Sequence, residues 1–420
     1  MVVKNFYDNV VIGGGLTGLT GAVYLSKAGK SVLVIEKERQ LGGLARTTKV
    51  NGAYFNLGPH AMYEGGAALE ILRDLECVPR GGYASKKGMS GIYGNQVIHV
   101  PKNLSLEESQ EWMKVMGTLS EVKTDSLYSV SIREWAEKNI DYERVRDLFY
   151  AMCRQWSYCM DLSEISSGFV IEQGKLAAKG VRYVEGGWQK VVNDLRKKAE
   201  HFGATISTGI RAEQIHLKED AVKGVILSNE KFVQANSVIT AIGPTELCEL
   251  VQGYEHMSIG KWKEMSHPLY GSCLDVALRK VPDPTCVFAL SLDEPFYFSN
   301  HSVSVQLSDD GSHVLHVMKY NGSNNLSEVE MDERRLRELL NLLQPGWENE
   351  VVAVRFLPNQ LIAYDSRSVM NHGVGIAPGP IVPEIRGLFV AGDWVGRRGR
   401  LADAAMDSAR EAAKDAINFN

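Results

Sequence analysis

No apolar run in this chain of 420 residues approaches the ~20 residues that a helix needs to cross a bilayer. Basic charge is not in excess either. Lysine and arginine number 46 against 51 aspartates and glutamates, a net charge of −5, which speaks against a nucleic-acid partner. Cysteine is scarce and scattered. Cys77, Cys153, Cys159, Cys248, Cys273 and Cys286 form no C-x-x-C pair and have no histidine at ligand spacing. They read as reduced thiols filling core space, and no metal site is expected. His301, His313 and His316 do not change this, because His313 and His316 lie an odd number apart and face opposite sides of one strand. Repeats, low-complexity tracts and proline-rich linkers are absent. A cleaved leader has no room, since Met1-Val2-Val3-Lys4-Asn5-Phe6-Tyr7-Asp8 runs almost at once into a strand pattern. The expectation is a cytoplasmic chain of one large or two interlocked domains. Peripheral membrane contact and oligomeric state stay open.

What is present begins with Val10-Val11-Ile12, a β-branched run that predicts a buried parallel strand. Gly13, Gly15 and Gly18 follow at the spacing G-x-G-x-x-G. Gly13 permits the tight turn, Gly15 leaves room for a pyrophosphate, and Gly18 lets the next helix lie close to the sheet. That helix is predicted over 16–28, ending at Gly29. Its first turn, with Leu16 and Thr17, aims free N–H groups at phosphate. A second strand over 31–35 closes on Glu36. A carboxylate at this distance from the glycines grips the ribose hydroxyls of an adenosine.

Lys37 and then Leu41-Gly42-Gly43-Leu44-Ala45-Arg46 continue the pattern. The order Glu, Gly-Gly, Arg resembles the FAD-binding N-terminus of the amine oxidase, phytoene desaturase and protoporphyrinogen oxidase superfamily. The resemblance implies that Glu36 and Lys37 flank the adenosine, that Gly42, Gly43 and Leu44 approach the cofactor, and that Arg46 neutralises phosphate. Two later segments carry the same likeness. Tyr183-Val184-Glu185-Gly186-Gly187-Trp188 leads into a helix over 189–201, a strand, a β-meander and a final strand before Gly243-Pro244. By resemblance Ala212 brackets the adenine and Ala241 lies over the ADP. Near the end, Gly387-Leu388-Phe389-Val390-Ala391-Gly392-Asp393 is a buried strand closing on Gly-Asp, followed by an Ala-rich helix over 401–417. By resemblance Gly392 and Asp393 hold the ribityl or phosphate chain. Leu401, Ala402 and Ala405 then bring a helix N-terminus to the flavin pyrimidine edge, where it suits developing negative charge. Arg397, Arg398 and Arg400, between them, read as solvated turn charges.

Between these segments, a hairpin over 50–57 turning at Asn51-Gly52 leads to Gly58-Pro59-His60, which the resemblance sets beside the flavin ring. Helices are predicted over 66–76 and through 102–178. Capping boxes stand at Ser105 and Ser131, and Asp141 and Asp161 are candidate caps for later helices. Phe149, Met152, Trp156 and Tyr158 make a stripe that reads mainly as core and secondarily as a pocket wall. Strands are expected over 90–100, 271–279, 303–307 and 313–318, with one helix over 331–343.

The fold class expected is α/β: a Rossmann-like FAD-binding domain of the glutathione-reductase type, built from 1–85, 180–255 and 375–420. An α+β substrate domain from 86–179 and 256–374 is interleaved with it. The implied cofactor is one non-covalent FAD. The implied activity is removal of a hydride equivalent from a C–H bond of an apolar small molecule. His60 and Tyr364 are the candidate catalytic residues, and His60 also reads as a cofactor contact. Amine oxidases carry a lysine near flavin N5, but the matching strand reads Tyr270-Gly271-Ser272-Cys273-Leu274-Asp275-Val276, with Ser272 or a neighbour at that place. Of their two aromatic walls, one matches Tyr364 and the other falls at Leu401. Three other readings stay open: an amine oxidase, a non-redox flavoenzyme resembling UDP-galactopyranose mutase, and a binding protein resembling the prenyl-GTPase dissociation inhibitors. The second would need paired arginines such as Arg279 and Arg355 in the substrate domain.

Overall fold

The computed structural model describes residues 3–85, 89–322, 328–371 and 377–419. The expected domain boundaries at 86 and 375 lie outside those residues. Two seven-stranded sheets dominate. In the first, five strands run parallel in the order Thr205–Thr208, Val32–Glu36, Phe6–Ile12, Phe232–Thr240 and Leu388–Val390. Ala212–Lys218 and Ala221–Leu227 add an antiparallel meander on the far edge. Val10, Val11, Val32, Val34 and Val238 are all fully buried, as expected of a parallel sheet covered on both faces. Helices Leu16–Lys27, Gln189–His201 and Ala402–Asn418 contribute to the core on one face. The meander and the short helix Pro244–Leu250 contribute to the core on the other.

Register explains how distant segments meet. Ile12 pairs with Ile35 and with Thr240, and Thr240 pairs with Val390. The residues that follow these four positions, Gly13, Glu36, Ala241 and Ala391, therefore emerge along one carboxyl edge. The sequence suggests two strands over 232–242, but the structure has one. Phe232–Thr240 pairs with Ala221–Leu227 along its first part, and Leu388–Val390 takes that side along its last. A change of neighbour therefore produces what looks like a break.

The second sheet runs in the order Val351–Ala363, Leu269–Leu278, His313–Tyr320, Phe296–Asn300, Phe288–Ser291, Met89–Tyr93 and Gln96–Ile98. Its pairings are antiparallel except that of Phe288–Ser291 with Met89–Tyr93. Helix Val329–Leu343 buries Leu336, Leu339, Leu340 and Leu343 against it. The helical segment follows the sequence in part. Both capping boxes form, with Ser105 accepting from the Glu108 N–H and Ser131 from the Glu134 N–H. Asp141 and Asp161 do not cap. Tyr142 stands at the start of Glu143–Ser157. Asp161 instead accepts from the Ser163 N–H and hydroxyl, and Ser166 caps Ser167–Ala178. No strand forms over 303–307, because Asn300 Oδ1 accepts from the Ser302 N–H and starts a 3₁₀ turn, His301–Val303. The hairpin Thr47–Val50 and Ala53–Asn56 turns as expected, with Asn51 and Gly52 both at positive φ. Among the described residues no helix is long and apolar enough to cross a membrane.

Gly18 shows how tightly the first turn is drawn. A Cβ there would sit 1.8 Å from the Gly13 carbonyl oxygen. Alanine ordinarily favours a helix over glycine by about 1 kcal/mol, but a backbone oxygen at that distance cannot give way. Gly18→Ala is expected to destabilise by about 1–3 kcal/mol, read as a lowered urea midpoint. A raised midpoint would mean that the turn is looser than described.

Candidate functional site

One cavity of about 640 Å³ opens along the carboxyl edge and continues against the second sheet. That volume is within the roughly 300–1,000 Å³ typical of small-molecule and cofactor sites. Every residue expected to bind cofactor or take part in catalysis lines it except Gly18, whose role is the close packing just described.

At one end the glycine loop sets the geometry. Gly13, at φ +109°, turns the chain out of the first strand, and its N–H donates to the Ile35 carbonyl at 2.8 Å. Gly15 is open: a Cβ there would meet nothing nearer than 3.8 Å, so its missing side chain leaves space in the cavity. Helix Leu16–Lys27 begins there with no capping side chain and no acidic residue in its first turn. Its leading N–H groups are therefore free for an anion. Glu36 is buried, and backbone amides aim its carboxylate. The Gly14 N–H donates to one oxygen at 2.7 Å and the Glu38 N–H to the other at 2.9 Å. Each oxygen keeps a lone pair for a hydroxyl. Gly42 donates to the Gly14 carbonyl at 2.9 Å, which clamps the second glycine pair onto the first. The 3₁₀ turn Gly43–Ala45 then delivers Arg46 to the cavity wall. Lys37, Arg211, Ala212 and Glu213 complete this end.

In the middle, Ala241 donates to the Ile12 carbonyl at 2.7 Å and so places its own backbone over the glycine turn. His60 is tied at both ring nitrogens, Nδ1 to the Gly58 carbonyl at 3.1 Å and Nε2 to the Leu44 carbonyl at 3.0 Å. Its ring meets Trp188 edge-on. Burial, outweighing these carbonyls, holds its pKa below the ordinary histidine value. The neutral ring donates to one of these carbonyls and so links the Gly58-Pro59 turn to Leu44.

At the other end, the Gly392 N–H donates to Ser408 Oγ at 3.0 Å, which ties the Gly-Asp turn to the closing helix. Asp393 Oδ2 accepts from the Tyr364 N–H at 3.2 Å, and burial pushes its carboxyl up to about 6. Helix Ala402–Asn418 starts uncapped from Leu401, at φ +49°, and Ala402 and Ala405 face the cavity. Two helix N-termini thus open into one space. Asp403, also raised to about 6 by burial, accepts from the Ala68 N–H at 2.7 Å.

The arginines need a correction. Arg397 and Arg398 are exposed, and Arg398 pairs with Glu70. Arg400, however, is only 3 % exposed and lines the cavity, with Nε and Nη2 buried and without hydrogen-bond partners. Nothing in Arg397-Arg398-Gly399-Arg400 marks the third arginine as different. Phe169 packs against it, its ring 5.1 Å from the guanidinium carbon.

The second sheet supplies the remaining walls. Gly271, Cys273, Met318, Gln360, Leu361 and Ile362 face in from neighbouring strands, with Tyr63, Tyr158 and Tyr364 beside them. Of the aromatic stripe, Tyr158 reaches the cavity while Phe149 and Trp156 pack in the core. Ser272 points away and donates to Asp332 at 2.5 Å. The inward neighbour is Cys273, whose thiol burial pushes well above its ordinary pKa. The lysine that lines the cavity is Lys37, at the Glu36 end.

Among the described residues one group has metal-ligand spacing: Cys273, Asp275 and His316, all buried. Asp275 is already held by His316 Nδ1 at 2.6 Å and by the Arg355 guanidinium at 2.5 Å. A dication would have to sit against that guanidinium, and the group reads as a neutralised buried network. His301 stacks on Tyr183 and abuts His316, so these histidines are packing partners. Arg279 pairs with Glu350. Neither arginine considered for a sugar diphosphate lines the cavity.

A dinucleotide-type glycine loop, a ribose-ready carboxylate and two uncapped helix starts at one sheet edge define a flavoenzyme of the FAD-dependent oxidoreductase class. Residues 16–417 match the model of the family described as flavin containing amine oxidoreductase. The chain belongs to that family, and its cofactor is FAD. It is 25% identical over 349 residues to a probable flavin-containing monoamine oxidase A of Dictyostelium discoideum, covering 74% of this chain and 70% of that one. It is 23% identical over 275 residues to a 4,4'-diaponeurosporene oxygenase of Staphylococcus aureus, covering 55% of this chain and 54% of that one, so it spans about half of that relative's length. An oxidoreductase of Methanosarcina mazei has the same fold, with a TM-score of 0.77 at 20% identity over 98% of this chain and 99% of that one.

Glu36 is expected to set cofactor affinity. Glu36→Ala removes a charged acceptor that Gly14 and Glu38 hold in place. It should weaken FAD binding by about 1.5–3 kcal/mol, roughly 10- to 150-fold in Kd. Flavin titration of the apoprotein checks this, and an unchanged Kd would mean that the adenosine lies elsewhere.

Proposed function

We propose that this protein is an FAD-dependent dehydrogenase, desaturase or oxidase that removes a hydride equivalent from a C–H bond of a mainly apolar organic substrate. The observation that carries this reading is the continuity of the cavity. It joins an anion-ready glycine loop to a pocket walled by Cys273, Met318, Leu361, Ile362 and Tyr158. In this reading Glu36 and Lys37 hold the adenosine ribose, Arg46 and the N–H groups of Leu16 and Thr17 hold the diphosphate, and Ala212 and Ala241 bracket the ADP. Gly392 and Asp393 hold the ribityl chain, while Ala402 and Ala405 present helix N–H groups to the pyrimidine edge. Bound FAD supplies the two-electron acceptor. The chain's own residues orient substrate and exclude water. We assign His60 a bracing role and Tyr364 a wall, its ring packed over Gly243 and its hydroxyl held protonated by burial and Glu246. The parallel sheet with its helices is assigned to cofactor and the second sheet with the 102–178 helices to substrate.

The flavin is proposed to be non-covalent. No cysteine stands at Ile362-Ala363-Tyr364, and Cys273, the cysteine that lines the cavity, is held as a thiol, whereas the thiolate is the nucleophile. Acid precipitation is expected to leave the yellow colour in the supernatant. Colour in the pellet would show a covalent bond. A colourless, FAD-indifferent protein would favour the binding-module reading.

An amine oxidase remains the second reading, favoured by the Dictyostelium relative. Against it stand the absence of a cavity lysine beyond Lys37 among the described residues and the aliphatic Leu401 where the resemblance expects a second aromatic wall. A two-sided aromatic cage suits an ammonium group, and one side is missing here. Mixed with primary amines, polyamines and amino acids, the holoprotein is expected to keep its oxidised spectrum over seconds. Rapid bleaching, with peroxide on aeration, would restore amine oxidase as the first choice.

A further inference from the structure

We propose that Arg400 recognises a carboxylate on the substrate, so that the molecule oxidised is an organic acid with an apolar body. This rests on the reading above that the second-sheet end of the cavity receives substrate. Arg400 is almost fully buried, yet its Nε and Nη2 donate to nothing and it forms no ion pair among the described residues. A guanidinium taken out of water without an anion is costly, and the face of Phe169 returns only part of that cost. Asp365 and Asp393 attract it through space, but neither hydrogen-bonds to it. Asp365 lies 3.6 Å from Arg367 and leaves Oδ1 without a partner, Asp393 takes the Tyr364 N–H, and Asp403 takes the Ala68 N–H. Burial raises the last two to about 6, so both are still mostly ionised at neutral pH and spend that charge on the backbone N–H groups named.

The same end of the cavity carries the phenols of Tyr63 and Tyr158, both kept protonated by burial and hydrogen-bonded to each other, which leaves one hydroxyl to donate. A forked cation beside a neutral donor matches the two oxygens of a carboxylate, while an ammonium group would meet like charge. The diphosphate of the cofactor does not need this arginine, since the glycine loop end has its own free helix N–H groups and Arg46. Phe169 and Tyr158 belong to the helices of the substrate half, which sets Arg400 on that side.

The test uses the FAD-loaded protein and two matched probe pairs: phenylacetate against phenethylamine, and octanoate against octylamine. Binding is followed as a shift of the visible flavin spectrum and, independently of flavin, by equilibrium dialysis of radiolabelled phenylacetate. Both acids are expected to bind and both amines to bind far more weakly. Arg400→Gln should raise the Kd of the acids by about 30-fold or more. Arg400→Lys, which keeps the charge and loses the fork, should fall between. Amines binding as tightly as acids, no binding of either acid, or acid affinity unchanged in both variants would overturn the proposal. A protein that retains no flavin would instead refute the functional reading, and dialysis would still decide the role of Arg400.

Discussion

Everything in this molecule depends on five parallel strands ending in register. The peptide groups at Ile12, Ile35, Thr240 and Val390 lie along one line, and the chain turns away just beyond each. Those turns carry Gly13, Lys37, Ala241 and Gly392, from three stretches of chain that lie more than a hundred residues apart. Pairing distances leave no freedom: a slip of one residue would turn each strand's side chains to the other face and withdraw its turn from the edge. The fully buried valines are what hold the register, because either face of a displaced strand would have to rebuild its packing.

Upon that edge the two uncapped helices define polarity. A helix whose first N–H groups lack a side-chain acceptor exposes partial positive charge. The glycine-loop helix and the closing helix both do so into the same cavity. Ser105 and Ser131, by contrast, start the helices Leu106–Thr118 and Ile132–Asn139 with complete capping boxes.

The second sheet handles charge differently. Its buried carboxylates are met by partners, Asp275 by His316 and Arg355, and Asp332 by Lys319 and Ser272. These networks satisfy charge inside the wall and leave a thiol, a thioether and aliphatic groups facing the cavity. Arg400 breaks that pattern, and its unsatisfied guanidinium is where the pocket's chemistry departs from a purely apolar surface.

Much of this was legible in order of residues. The glycine spacing, the carboxylate after the second strand, the Gly-Gly-Trp helix and the closing Gly-Asp strand are local patterns. Each is dictated by turn geometry or helix starts, so the cofactor half could be read before any contact was known. Boundaries that hinge on neighbours could not. Phe232–Thr240 looks like two strands until its change of partner is seen, and Asp161 looks like a cap until Ser166 takes that place. The far end of the cavity was least legible, because which of Ser272 and Cys273 faces inward depends on strand register, and which of Arg397, Arg398 and Arg400 is buried depends on packing against distant residues such as Phe169. Local spacing determines where the chain turns and what those turns can bind. Long-range packing alone decides which side chains are shut away from water, and so which charges go unanswered.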